Sequence, residues 1–260
     1  MTLFIFSVIK KINGGLMADT LYGVNPVIEA LKAGKRRAVK LYLSGKRHDK
    51  YEDIIRQFSK RLSLPLEIVD KRDLDNIALT QNHQGVAGIF QTYPYSGIKD
   101  MLDYAKQKKE KPFLIALDEI QDPQNVGAII RTASCLGVHG VIITKRHSSY
   151  ITPAVAKASA GATEYMNISI VPNLRAEIES LKRDNLIAIA MDENGTNNFN
   201  DIQSGNGIIL AIGSEGNGIR KPVFDVCDYS VSIPLKSPIS SLNASVSAGI
   251  GMYMLINNYR

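Results

Sequence analysis

Three short segments carry residues whose types and spacing suit chemistry. They are Asp122-Pro-Gln-Asn-Val-Gly-Ala-Ile-Ile-Arg131, Ile212-Gly-Ser-Glu-Gly-Asn-Gly218, and Ile233-Pro-Leu235 leading on to Ser241-Leu-Asn-Ala-Ser245. Each sets small or polar residues between a strand-like apolar run and a helix-like one, and in α/β domains such strand ends are where ligands bind. The glycines of the second segment let backbone approach a ligand closely. Its spacing is neither a dinucleotide fingerprint nor a P-loop, which excludes a nucleotide-dependent oxidoreductase. A glycine-rich turn is often only a turn. Glu215, an acid amid glycines, suits a cationic or amine-bearing ligand, or else caps the next helix. Arg131 falls almost two turns into a helix that opens near Asn125. Among apolar neighbours it either reaches solvent along its stem or serves as a fixed cation for phosphate or carboxylate. Capping by Ser240 or Ser241 explains part of the last segment. It leaves Asn243 unexplained, just inside a helix where Asn is intrinsically poor.

The elements that must position these residues follow from periodicity. From Phe113 onward, strand and helix patterns alternate: strands at 113–117, 141–144, 168–171, 186–191, 208–212 and 229–233, helices at 126–136, 153–160, 174–183 and 242–257. Continuous apolar strands such as Ile208-Ile-Leu-Ala-Ile212 indicate a sheet covered on both faces, hence mostly parallel. Ahead of this lies a smaller α/β region, with a helix begun at Asn25-Pro26, a strand at 39–43, a helix at 51–62 and strands at 66–69 and 86–90. Lys106 to Lys111 is nearly all charged and Pro112 blocks helix continuation, so 96–112 reads as a linker between domains at 17–95 and 113–260. Residues 1–16 read as an extension. Their apolar run precedes its lysines, the reverse of a secretory signal.

With 260 residues and 45% hydrophobic content, the chain is ordinary globular material. No apolar run is long enough to span a bilayer, and a cytoplasmic protein is expected. Cys135 and Cys227 read as buried thiols of a reducing compartment. The four histidines lack ligand spacing, so no metal site is expected. The net charge of +6 is unevenly spread: residues 1–111 hold 20 basic against 12 acidic side chains, and the remainder 11 against 13. A cluster including Lys35, Arg36, Arg37, Lys46 and Arg47 is the footprint expected of an RNA phosphate binder, or a solvated face without a partner.

Taken in order, the three segments resemble the signature motifs of the SpoU (TrmH-like) branch of the SPOUT RNA methyltransferases. Ala158-Ser-Ala-Gly-Ala162 is similar to a segment found between the first two. The first domain resembles the family's L30e-like substrate-binding domain, through Leu21-Tyr-Gly-Val-Asn-Pro26 and His83-Gln-Gly-Val-Ala87. That two-domain arrangement is most similar to bacterial enzymes that 2′-O-methylate a guanosine in 23S ribosomal RNA. The resemblance implies a C-terminal sheet threaded into a deep trefoil knot, S-adenosyl-L-methionine as cofactor, and a homodimer whose partner completes the RNA site. It places cofactor contacts at Gly213, Ser214, Gly218, Ile233, Leu235 and Leu242, and active-site positions at Asn125, Arg131, Glu215, Ser241 and Asn243. A guanidinium stays charged in proteins, so Arg131 reads as a clamp on the target phosphate, with that phosphate or Glu215 accepting the proton. The alternatives are the same chemistry on transfer RNA or another ribosomal nucleotide, and a non-catalytic RNA-binding protein of this fold. Val246, Ile250, Met254 and Leu255 fit either a dimer face or core, with core the simpler expectation.

Overall fold

The computed structural model describes residues 10–12, 16–45, 49–203, 205–236 and 241–259. The chain divides into two compact units, Met1–Pro94 with Ile151–Tyr165, and Tyr95–Tyr150 with Met166–Arg260. In the first, the order is β1 (Lys10–Ile12), β2 (Leu16–Tyr22), α1 (Val24–Ala33), β3 (Ala38–Ser44), α2 (Lys50–Arg61), β4 (Leu66–Val69), α3 (Lys71–Ala78) and β5 (Val86–Gln91). The strands pair as β1-β2-β5-β3-β4, parallel only between β3 and β4. Asp49 starts α2 by accepting from the amides of Tyr51 and Glu52, at 3.0 and 3.1 Å. Leu21, Val27, Ile28, Leu41, Leu43, Ile55 and Phe90 form the core. Lys10–Ile12, within the stretch read as an extension, pairs with Leu16–Ala18 as an edge strand.

The second unit begins with α4 (Ile98–Gln107), inside the stretch read as a linker, and buries Met101 and Ala105. Then come β6 (Phe113–Asp118), α5 (Pro123–Cys135) and β7 (Gly140–Thr144). The chain next contributes α6 (Pro153–Ala158) to the first unit. It returns with β8 (Ile168–Val171), α7 (Leu174–Arg183), β9 (Leu186–Met191), β10 (Gly207–Gly213), α8 (Lys221–Phe224), β11 (Tyr229–Val231) and α9 (Ala244–Tyr259). All six strands are parallel, ordered β11-β9-β10-β6-β7-β8. Every residue of β6 and β7 is buried. Leu114, Ile142, Ala188, Ile209 and Ala211 pack in one apolar cluster. Truncating a residue such as Ile209 to Ala there costs about 2–5 kcal/mol.

From β6 the chain runs one way, through β7 and β8, then crosses to the other side for β9 and β10. The β6/β10 boundary is therefore the point where strand order reverses, the usual place for a ligand crevice. Register aligns the strand ends there: Gly213 opposes Asp118, Met191 opposes Ile212, and Val231 opposes Met191. The expected knot turns on the path from β11 to α9, which passes through 237–240, outside the described residues. Among the described residues no helix is long and apolar enough to cross a membrane, and no group of His, Cys, Asp and Glu is arranged to hold a metal.

Two expectations about side chains change. Cys135 is exposed, not buried, because it lies one turn beyond Arg131 on the open face of α5. Cys227 is half-buried, and burial pushes its thiol up to about 12. Of the four α9 residues read more simply as core, only Leu255 is buried; Val246, Ile250 and Met254 are exposed.

Candidate active site

The turn after β6 is built by Asp122. Its carboxylate accepts from the amides of Gln124 and Asn125, at 3.1 and 3.2 Å, with Pro123 in the first turn where no N–H is needed. Because Asp122 supplies the cap, the Asn125 side chain is released for a longer-range contact. Its Nδ2 donates to Glu215 Oε1 at 3.0 Å.

Glu215 stands in the loop after β10. Ser214 and Gly218 bond each other's backbone across its base, at 3.1 and 2.9 Å. Gly213 packs so tightly there that a Cβ would lie 2.0 Å from the carbonyl carbon of Gly218. Gly216 has φ +86, in the left-handed region where a side chain would be strained.

Asn243 precedes α9 and is its cap, which corrects its expected place inside the helix. Its Oδ1 accepts from the amides of Ser245 and Val246, at 2.9 and 3.4 Å, and from Ser245 Oγ at 2.6 Å. Its Nδ2 donates to Glu215 Oε1 at 2.6 Å and to Asn125 Oδ1 at 2.9 Å. Ala244 N adds a bond to the same Glu215 oxygen at 3.4 Å. Three elements thus meet at one carboxylate oxygen.

Beside this junction lies a cleft of about 1040 Å³. All six residues expected to contact a cofactor (Gly213, Ser214, Gly218, Ile233, Leu235 and Leu242) line it, as do Glu215, Ser241 and Asn243. Asn125 sits behind it through its bond to Glu215, while Arg131 is exposed on α5. Among the described residues Ser241 and Arg131 make no bond to the Asn125–Glu215–Asn243 junction. Sequence reasoning missed Asp192 and Glu193, which line the cleft at the end of β9. The signal was there: an apolar strand, Leu186–Met191, ending in Asp-Glu-Asn-Gly. Among the described residues no Lys or Arg lines the cleft, whereas Asp192, Glu193 and Glu215 do. That charge balance suits a cationic ligand, and Ile212, Ile233, Leu235 and Leu242 offer apolar surface for a base. The residues present fit S-adenosylmethionine.

The basic cluster of the first unit divides. Arg36 is only 2% exposed. It meets Asp19 Oδ2 at 3.2 Å through Nη1 and Glu164 Oε1 at 2.9 Å through Nη2, and lies 4.9 Å from the centre of the Tyr93 ring. Its expected role as an RNA ligand is corrected, because the charge is already matched inside the protein. Lys35 donates to the Tyr93 hydroxyl at 2.6 Å, and burial lowers its pKa to about 8, with Glu164 offsetting part of that fall. Arg37 is exposed. Lys46 and Arg47 lie outside the described residues, as does Ser240.

Comparison with known proteins agrees with this architecture. The SpoU rRNA methylase family matches residues 112–253, and the substrate-binding domain of RNA 2′-O ribose methyltransferases matches residues 20–96. YacO of Bacillus subtilis (strain 168), placed in the TrmH family of tRNA/rRNA methyltransferases, is 35% identical over 90% of this chain and 94% of its own length. The crystal structure of an AdoMet-bound rRNA methyltransferase from Sinorhizobium meliloti superposes with a TM-score of 0.74 at 22% identity, covering 94% of this chain and 88% of that one. A TrmH/SpoU tRNA-modifying enzyme from A. aeolicus gives a TM-score of 0.51 at 20% identity, covering 61% of this chain and 83% of that one. With motif loops that converge on one cleft and a match spanning 112–253, the chain belongs to the SpoU rRNA methylase family.

Proposed function

We propose that this protein transfers the methyl group of S-adenosyl-L-methionine to a ribose 2′-oxygen of RNA, and that its target is a guanosine of 23S ribosomal RNA. The observation that carries the reading is the junction of Asn125, Glu215 and Asn243 beside an acid-lined cleft. A protein that only bound RNA would have no need to gather these groups beside a cleft lined by Asp192, Glu193 and Glu215.

When bound, the cofactor supplies a methyl group on a positively charged sulfur. Glu215, Asp192 and Glu193 line the cleft, and their carboxylates would favour holding a positively charged group there. Asn125 and Asn243 fix Glu215 Oε1, while Ser241 stands at the cleft wall to orient the ribose. Transfer of that methyl group to the ribose oxygen would leave the carbon–sulfur electron pair on sulfur and would require the hydroxyl proton to be taken up. The Arg131 side chain makes no hydrogen bond or ion pair among the described residues and is exposed on α5. It is free to clamp the target phosphate through two parallel N–H donors and to favour the ionised hydroxyl. The phosphate or Glu215 takes the proton. Alignment of this kind supplies several kcal/mol of a barrier.

The ribosomal assignment is supported by the two-unit build. The S. meliloti rRNA enzyme shares it over 94% of this chain, whereas the A. aeolicus tRNA enzyme matches only 61%. A homodimer in the cytoplasm completes the reading. Leu242, Val246, Ile250, Tyr253 and Met254 form an exposed apolar stripe at helical spacing along the start and length of α9. The decisive experiment gives radiolabelled S-adenosylmethionine, with this protein, to total ribosomal and transfer RNA from a strain lacking it. Label on a guanosine ribose of large-subunit RNA is expected. Label in transfer RNA overturns the substrate. No label, with no cofactor binding, overturns the chemistry.

A further inference from the structure

The loop that carries Glu215 is held at its far end by a second charged cluster. Asp118, the last residue of β6, is 0% exposed. Its Oδ1 accepts from Arg220 Nε and Nη2, at 3.0 and 2.6 Å, and its Oδ2 accepts from the Arg220 backbone amide at 2.9 Å. Glu119, held at φ 57, meets Arg220 Nη1 at 2.9 Å. One guanidinium thus spends both edges of its fork on two consecutive carboxylates. The hydrogen bonds to Asp118 push Arg220 above the ordinary guanidinium value.

The placement matters more than the strength. Arg220 closes a seven-residue stretch, 213–219, that contains three glycines and is costly to order. Asp118 and Glu119 open the turn that runs into α5, whose first turns carry Asn125. The Arg220 fork therefore ties together the two backbone segments whose side chains must meet at the Glu215–Asn125 bond. A lysine could not reproduce the tie, because it offers one point charge in place of a planar fork.

We propose that Arg220 is a positioning residue for methyl transfer: its grip on Asp118 and Glu119 sets the base of the glycine loop and so the place of Glu215. This rests on the methyltransferase reading above. An ordinary stabilising ion pair would act only on the stability of the fold, and the test separates the two. Arg220→Gln alone leaves a buried carboxylate unpaired and is expected to destabilise the protein. The double variant Asp118→Asn/Arg220→Gln removes both charges and is expected to recover most of the lost denaturation midpoint.

At temperatures where the double variant is folded, kcat is expected to fall about tenfold to a hundredfold, the cost of a small misplacement. The dissociation constant for S-adenosylmethionine, by calorimetry, should rise several-fold, with KM for RNA unchanged. Arg220→Lys should recover stability better than turnover. Independently of activity, amide exchange at Ser214 and Gly218, whose N–H groups bond across the loop base, should quicken in the double variant. Wild-type turnover, cofactor affinity and exchange in a folded double variant would overturn the proposal, as would full activity of Arg220→Lys. If the wild type itself transfers no methyl group, the function above fails, and the exchange measurement still decides the clamp.

Discussion

Two arginines, one in each unit, differ sharply in what surrounds their charge. Arg36 sits in a basic run and is expected to meet RNA, while Arg131 sits among apolar helix residues, where position alone suggests snorkelling and the family resemblance implies a clamp on the target phosphate. The structure changes the expectation for Arg36 alone. Arg36 is enclosed by Asp19, Glu164 and the Tyr93 ring, its charge spent inside the first unit. Arg131 has no partner among the described residues and is exposed on the helix that also carries Asn125. A cation with its counter-charge inside the protein is committed to the fold. One without is available to a substrate.

The sharpest way to break this contrast is to remove each arginine in turn. Arg36→Ala leaves Asp19 and Glu164 buried without their cation, and losing one partner of such a cluster costs about 3–5 kcal/mol. Urea denaturation should show that loss, and cofactor binding in the second unit should survive in whatever remains folded. A loss below about 0.5 kcal/mol, the size of an ordinary surface change, would mean Arg36 is not committed. Arg131→Lys should do the opposite. Stability should hold, while turnover falls about a hundredfold, equivalent to roughly 2.7 kcal/mol of barrier. Near-normal turnover of that variant would exclude the planar clamp.

The same contrast shows what was legible in the sequence. The strands Ile168–Val171 and Leu186–Met191 and the helix Leu174–Arg183 read directly, because nearly every inward position is apolar. The strand Leu16–Tyr22 did not, since it carries Asp19, whose side chain serves Arg36. The helix Lys71–Ala78 escaped because only Leu74 and Ala78 are buried in it. No local pattern assigns 151–165 to the first unit. That membership depends on Glu164 finding Arg36, 128 residues earlier, and Ala156 joining the core. The site divides similarly. Glycine spacing and strand ends marked the loops. The bonds joining Asn125, Glu215 and Asn243 span 90, 118 and 28 residues, so no local pattern shows them, and the family resemblance implies only that the three residues belong to one site.

A third test concerns surface next to Arg131. α5 packs against α9, whose exposed stripe includes Val246, 49% exposed, and Tyr253, 58% exposed. If a second copy covers this stripe, Val246→Asp buries a charge in the interface and weakens the dimer by at least about tenfold. Equilibrium sedimentation would follow it. A protein that is monomeric before the substitution, or a dimer indifferent to it, would leave the stripe as bare surface and remove the partner from the active site.

Lys35 gives the smallest effect and the finest division between committed and available charge, because it lies between the two arginines in exposure. Burial lowers its pKa from 10.5 to about 8, so the folded chain gives up a proton that the unfolded chain keeps. Between about pH 8 and 10.5 the unfolded state therefore binds more protons, and stability rises with pH across that window. Solvent around a half-buried ammonium holds the gain to under about 1 kcal/mol. Lys35→Met should flatten this rise relative to the wild type, read from denaturation midpoints at pH 7.5 and 10. It should leave the salt dependence of RNA binding alone if Lys35 belongs to the fold. If instead the salt slope drops by about one, Lys35 leaves Tyr93 to meet a phosphate. The boundary between committed and available cations would then fall between Lys35 and its neighbour Arg36.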